Sequence, residues 1–402
     1  MKVLERASLA PGLEPHPGYR LVGRLGKGGF GEVWEACKSD GTSVALKFVP
    51  GNNAMRASQE TRSLQLVRNL RHPGLVTVNG VWCSMGYVVV AMELAEGTLQ
   101  DLYDAYQSEY GTPVPAEHLW LLLEQAAETL DFLNGHRHMI GGQRLGIQHC
   151  DVKPSNLLLF GERVKVSDFG LAAPTTAPLK FHCPAGTLAY VAPEVFQGRL
   201  SDRTDQYALA VTYCMLRCGR LPFGETPDRF SLGYVRPAPD LSFLPQAERP
   251  VIARGLAPIP AERWSSCTEL IAQLKKIGSQ APPTPLPRLP DHVTTDRRAS
   301  LRFSCGLRTS ARLLGETSKE VWETRIHNVS QNGVGLLCTS PFKRGTVLVV
   351  RMPEAATFHV QSLFARVVHA SPRDDGGWLI GCTLARRLSE EQVQALARAQ
   401  GA

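Results

Sequence analysis

Asp151, Asn156 five residues on, and Asp168 twelve further lie near the middle of this 402-residue chain. They stand in His149-Cys150-Asp151-Val152-Lys153-Pro154-Ser155-Asn156 and in Val164-Lys165-Val166-Ser167-Asp168-Phe169-Gly170. Moving a phosphoryl group needs a carboxylate beside the attacking hydroxyl and hard oxygen ligands for magnesium. These three side chains supply both, and the apolar runs around them are suited to hold them still. Two earlier segments fit the same chemistry. Gly26-Lys27-Gly28-Gly29-Phe30-Gly31-Glu32-Val33 is a glycine-rich turn whose backbone N–H groups can approach phosphates closely. Val44-Ala45-Leu46-Lys47 ends an apolar strand on a lysine, which Glu60 on the next helix can pair with.

These groups need elements to position them. Tyr19–Leu25, Val33–Ala36, Ser43–Val49, Leu75–Val81 and Tyr87–Met92 read as strands of a small sheet, with a helical stretch over Ala54–Leu70. Beyond Glu117 the pattern turns helical, with Leu119, Leu122, Ala126, Leu130 and Leu133 on one stripe. A strand-rich lobe followed by a helical lobe leaves a cleft between them, a common ligand site. The glycine turn continues into a strand rather than a helix, which disfavours a dinucleotide fold, and no GxxxxGK[ST] segment is present.

In this order the segments resemble a eukaryotic-type serine/threonine protein kinase over about residues 19–277, with Ala192-Pro193-Glu194 completing the set. The resemblance implies a bilobal α+β kinase fold that uses ATP and Mg2+ on protein serine or threonine hydroxyls. It implies that Gly26, Lys27, Gly28, Gly29, Phe30, Gly31, Val33, Ala45, Met92, Glu93 and Leu94 surround the nucleotide. Met92 would be the gatekeeper and Glu93–Ala95 the hinge. Lys47 would hold the α- and β-phosphates and pair with Glu60. Asp151 would accept the hydroxyl proton, Lys153 would steady the phosphate, and Asn156 and Asp168 would hold the metal. Asp205 and Arg263 fit scaffold positions, Arg263 pairing with Glu194. Gly186–Tyr190 resembles the substrate-docking end of the activation segment. The family's usual His-Arg-Asp is here His149-Cys150-Asp151. Cysteine lacks the charge and fork that receive an activating phosphate. Activation-segment phosphorylation is therefore not expected to be the switch. The stretch Gly135–Ile147 is longer than the usual link, and its histidines read as a solvated loop.

Residues 278–291 hold five prolines, which exclude helix and sheet interior and mark a linker. The expected organisation is an N-terminal extension over 1–18, a kinase domain over 19–277, the linker over 278–291 and a last domain over 292–402. The net charge of +7 is uneven: residues 292–402 carry 15 Lys+Arg against 9 Asp+Glu, which favours an anionic partner there. That segment alternates as short strands with a terminal helix from Ser389, the pattern of a small β-barrel. Arg298-Ala299-Ser300-Leu301-Arg302 followed by Asn328-Val329-Ser330-Gln331-Asn332-Gly333 resembles a PilZ domain, the bacterial receptor for cyclic di-GMP. The resemblance implies that Arg298, Arg302, Asn328, Ser330 and Gly333 bind the dinucleotide, which would regulate the kinase. A non-catalytic pseudokinase scaffold carrying a dinucleotide or protein-interaction barrel is the alternative. The 10 cysteines are scattered and read as reduced, buried thiols rather than disulfides or a zinc site. No apolar run is long enough for a membrane span and the start lacks a signal peptide, so a cytoplasmic protein is expected. No DNA or RNA partner is expected.

Overall fold

A computed structural model describes residues 8–398 apart from 30, 52–61, 64–65, 68–69, 111–112, 162, 177–184, 225–228, 279–302, 314–320, 344–345, 352–361, 374–375, 385–387 and 389. The chain divides into two compact units, residues 1–100 with 113–276, and residues 101–112 with 277–402.

The first unit opens with five strands: β1 (Tyr19–Gly28), β2 (Gly31–Lys38), β3 (Ser43–Pro50), β4 (Val78–Ser84) and β5 (Tyr87–Glu93). They form one antiparallel sheet in the order β1-β2-β3-β5-β4. Its packed face is built by period-2 side chains, Trp34, Ala36, Val44, Leu46, Phe48, Val89 and Ala91. Strand β4 begins later than the pattern suggests. Leu75 instead makes an isolated bridge to Val166, which fastens this stretch to the site-bearing hairpin below. Most of the expected helix over Ala54–Leu70 lies outside the described residues.

A short strand β6 (Gly97–Thr98) leads into helix α1 (Leu99–Tyr110), which from Asp101 onward belongs to the second unit, and α2 (Ala116–Asn134) of the first unit buries the expected stripe. Then come hairpin β7 (His138–Ile140) and β8 (Gln143–Leu145), β9 (Ile147–Gln148), hairpin β10 (Leu157–Phe160) and β11 (Arg163–Val166), and β12 (Ala173–Pro174). Helix α3 (Thr204–Cys218) is buried on nearly every side, as its weakly amphipathic sequence requires. Helices α4 (Arg249–Gly255) and α5 (Cys267–Gly278) close the unit. The solvated-loop reading of Gly135–Ile147 needs correction. It folds as the β7–β8 hairpin on Gly141 and Gly142, both at positive φ, and His138 is buried with Nε2 at 2.9 Å from the Phe132 carbonyl.

The second unit holds β13 (Phe303–Ser304), β14 (Arg308–Leu313), β15 (Trp322–Val329), β16 (Gly333–Cys338), β17 (Val347–Arg351), β18 (Ser362–Pro372), β19 (Trp378–Leu384) and α6 (Glu390–Arg398). The order β15-β14-β17-β18-β19-β16, with β16 pairing back onto β15, closes a six-stranded antiparallel barrel. Ile326, Leu336, Leu348, Ala365, Val367 and Ile380 fill it, and Val393 and Leu396 of α6 join the same core. All nine described cysteines are free, and five are buried; Cys83 is exposed.

Candidate active site

Lys47 sits at the centre of the first sheet, opposite Val33 on β2 and Val90 on β5. Flanked on both sides, its stem is buried and its ammonium reaches Asp168 Oδ1 at 2.7 Å. Glu60 and Phe30 lie outside the described residues. Gly26, Lys27 and Gly28 form the end of β1 and pair with Val33, Glu32 and Gly31. A Cβ placed on Gly26 or Gly28 would meet nothing within 4 Å, so glycine there leaves room for something outside the chain. Gly31 differs: at φ 140° its Cβ would collide with the Phe48 carbonyl, so packing alone demands glycine. Ala45 pairs with Met92 across β3 and β5. The Glu93 carboxylate accepts from Lys165 Nζ at 2.7 and 2.8 Å and from the Thr77 N–H at 2.7 Å, which ties the segment entering Leu94 to β11. Nothing in the sequence flagged Lys165, because a strand lysine gives no sign of its partner.

The turn before β10 carries the other groups. Buried Asp205 of α3 accepts from the N–H groups of His149 and Cys150 at 2.7 and 2.9 Å, which holds Cys150 in the left-handed region at φ 63°. The Asp151 N–H donates to His149 Nδ1, and His149 Nε2 donates to the Ser167 carbonyl at 2.8 Å. Those two bonds fix a neutral tautomer. Burial lowers the imidazole pKa in the same sense, against the raising effect of Asp205. The result is a rigid link between the loop carrying Asp151 and the one carrying Asp168.

Lys153 Nζ donates to both Asp151 oxygens, at 2.8 and 2.9 Å, and to Thr187 Oγ1 at 2.8 Å. Asn156 Nδ2 donates to the Asp151 carbonyl and to Asp151 Oδ2, both at 2.8 Å. With its amide nitrogen so committed, Asn156 has Oδ1 left for a cation. Asp168 stands in the left-handed region at φ 61°, and its carboxylate accepts from the Gly170 N–H. Thr187 has only a weak sequence signal, a threonine ahead of Ala192-Pro193-Glu194; its contact with Lys153 is a tertiary one.

Burial pushes the Asp151 carboxyl up to about 6, with Asp168 adding to the rise and Lys153 opposing it. Burial also presses on Asp168, but the Lys47 ammonium outweighs it and holds that carboxyl below its ordinary value. One carboxylate is thus poised near neutrality while its neighbour stays ionised, which separates a proton acceptor from a cation ligand. A base must be ionised to accept a proton, so turnover should fall as pH drops through about 6. A pH profile of kcat/KM with its acid limb near that value is the expected result. A flat profile down to the ordinary carboxylate range would contradict it.

Among the described residues no group of three or more His, Cys, Asp or Glu is placed to hold a metal by itself. Asn156 and Asp168 offer two hard oxygens, and that fits magnesium, which takes few protein ligands and completes its shell with phosphates and water.

Behind this site, Arg263 Nη1 and Nη2 grip Glu194 at 2.9 and 2.7 Å, both side chains being buried. In the second unit, Ser330 Oγ caps its own turn by accepting from the Gly333 N–H at 3.1 Å. A Cβ on Gly333 would press on the Cys382 carbonyl at 2.8 Å. Among the described residues, Asn328 Oδ1 is buried without a hydrogen-bond partner. Arg298 and Arg302 lie outside the described residues.

Comparison with known proteins agrees with this arrangement. The protein kinase domain family matches residues 19–246, and the PilZ domain family matches residues 296–399. Serine/threonine-protein kinase PknF of Mycobacterium tuberculosis (strain ATCC 25177 / H37Ra) is 29% identical over 290 residues, covering 66% of this chain and 58% of that protein. CBL-interacting protein kinase 4 of Oryza sativa subsp. japonica is 31% identical over 258 residues, covering 61% of this chain and 54% of that protein. The chain spans about half the length of the curated relatives it matches. The crystal structure of the Mycobacterium tuberculosis PknI kinase domain is 26% identical with a TM-score of 0.50, covering 67% of this chain and all of that domain. Taken with the lysine, the two aspartates and the asparagine that the fold brings together, these matches show that the chain belongs to the protein kinase family and carries a PilZ domain behind its kinase domain.

Proposed function

We propose that this protein is a serine/threonine protein kinase that transfers the γ-phosphate of ATP to protein hydroxyls. The observation that carries the reading is Asp151, held by Lys153 and Asn156 and poised by burial, with Lys47 and Asp168 ion-paired alongside. Asp151 orients the substrate hydroxyl and takes its proton. Lys153, already bonded to Asp151, neutralises the incoming phosphoryl group. Lys47 would hold the α- and β-phosphates, and Asn156 and Asp168 would hold magnesium, which would supply charge neutralisation for the transferring group. Gly26, Lys27, Gly28, Gly29, Phe30, Gly31 and Val33 cover the phosphates, and Ala45, Met92, Glu93 and Leu94 border the adenine. The retained charged groups favour this over the scaffold alternative, because a scaffold gains nothing from a buried ionised pair. Transfer of labelled γ-phosphate from Mg-ATP to casein by the full chain tests it; no transfer above background would refute it.

The domain limits 19–277, 278–291 and 292–402 are part of the proposal, as is a cytoplasmic location. Among the described residues no helix is long and apolar enough to cross a membrane. The barrel is proposed to bind cyclic di-GMP through Asn328, Ser330 and Gly333 together with Arg298 and Arg302, and so to regulate transfer. The unpartnered Asn328 Oδ1 supports this, since an acceptor buried without a donor is costly unless a ligand N–H meets it. Calorimetry of the full chain with cyclic di-GMP is expected to give saturable binding that Asn328→Ala weakens at least tenfold. No heat of binding would leave the barrel as a protein-interaction module.

A further inference from the structure

Arg236 lies in the irregular stretch between α3 and α4, and its side chain is buried. Nη2 donates to the Leu188 carbonyl at 2.6 Å and to the Val191 carbonyl at 2.7 Å. The guanidinium lies over the Phe223 ring at 4.5 Å, with Phe196 at 5.5 Å and Tyr207 at 6.0 Å. Among the described residues, Nε and Nη1 have no hydrogen-bond partner. The contrast with Arg263 is informative. Arg263 is buried more deeply still but spends its charge on Glu194. Arg236 keeps a charge inside the protein against carbonyl dipoles and ring faces alone, an expensive arrangement that packing does not require.

What Arg236 holds gives the arrangement a purpose. Thr187 is locked onto Lys153, which is locked onto Asp151. One residue spans at most about 3.6 Å of chain. The side chain next to a phospho-acceptor at Asp151 therefore falls over the residues just after Thr187. Leu188–Val191 is that wall, and Tyr190 lies near enough to feel the Asp151 charge. The wall's far end is secured by Glu194 on Arg263. A cavity of about 940 Å³ borders Arg236, whereas Leu188, Ala189 and Val191 are themselves buried, so Arg236 adds a polar tie to a packed wall. The catalytic loop offers no clamp for a phosphate, because Cys150 cannot bind one.

We infer that Arg236 is a positioning residue for the protein substrate, bracing the Leu188–Val191 wall permanently in place of a phosphate-dependent clamp. The inference rests on the kinase reading above. Its test uses the phosphatase-treated full chain, casein as substrate, and Arg236→Met and Arg236→Lys. Arg236→Met should raise KM for casein at least tenfold while KM for ATP stays within twofold. Arg236→Lys, which keeps a donor for the two carbonyls, should fall between. Hydrogen exchange of the amides over residues 188–196 should quicken at least tenfold in Arg236→Met and leave α3 unchanged. Unchanged casein KM with unchanged exchange overturns the inference, and so does a loss of thermal stability with ATP and casein KM rising together. Should Arg236→Met not fold, Arg236→Lys decides by the same two measurements. If the wild type transfers no phosphate, the kinase reading fails, and the exchange measurement alone decides the brace.

Discussion

Asp151→Asn is expected to lower kcat for phosphate transfer by about 10³-fold, the middle of the range for a positioned general base. The substitution keeps the shape but not the chemistry. Asp151 accepts two bonds from Lys153 and one from Asn156. An amide replaces one acceptor by a donor, so its N–H faces the Lys153 ammonium in either orientation and the Asn156 amide as well in one of them. Lys153 is then misdirected as well, and the loss exceeds that of the base alone. Lys47, Asp168 and the glycine turn are untouched, so KM for ATP should stay within a few-fold. Steady-state transfer to casein at varied ATP checks both. Equal rates for wild type and variant would mean that Asp151 is not the base, and equal background rates would favour the scaffold reading.

The second large effect concerns stability. Arg263→Ala should destabilise the first unit by about 3–5 kcal/mol, because it leaves the Glu194 carboxylate buried without its counter-ion. That corresponds to a fall in melting temperature on the order of 10 °C for a domain of this size. Ser201 and Thr204 hydroxyls still donate to Glu194, but neither carries charge. Burial raises the Glu194 pKa, yet Arg263 outweighs it and holds the group below its ordinary value of 4.5. A carboxyl lowered on folding stabilises the native state above its unfolded pKa. That contribution disappears as pH falls below about 4.5 and through the folded value. Thermal melts from pH 7 to pH 3 should therefore bring wild type towards Arg263→Ala. A constant gap would show that the pair's ionisation is not what stabilises it.

Much of this molecule is legible in the sequence, and the reasons differ by level. Strands of the first sheet follow from period-2 burial, and the α2 stripe from period 3.6. Strand β14 gives little strand signal because its inward residues, Thr309 and Ala311, are small and one is polar, so Arg-Thr-Ser-Ala-Arg-Leu lacks an apolar rhythm. Without β14 the remaining barrel strands do not close. The β7–β8 hairpin reads as loop because its polar and aromatic-poor sequence hides a turn made by Gly141 and Gly142 at positive φ. Arg298, Arg302 and Glu60 fall on residues that the structure does not describe.

By itself the sequence determined which chemical groups are present and their order: Lys47, Asp151, Lys153, Asn156 and Asp168, with Cys150 in place of an arginine. Those are properties of residue type and short spacing, which a linear chain states directly. Only the tertiary structure decided that Lys153 also holds Thr187, that Lys165 holds Glu93, and that Arg236 braces carbonyls 48 and 45 residues earlier. Each is a contact between segments brought together by burial of apolar surface, which is non-directional and leaves no local mark at either end. The groups proposed for phosphate transfer were therefore readable from the chain, while the bonds from Arg236 to the Leu188 and Val191 carbonyls were not.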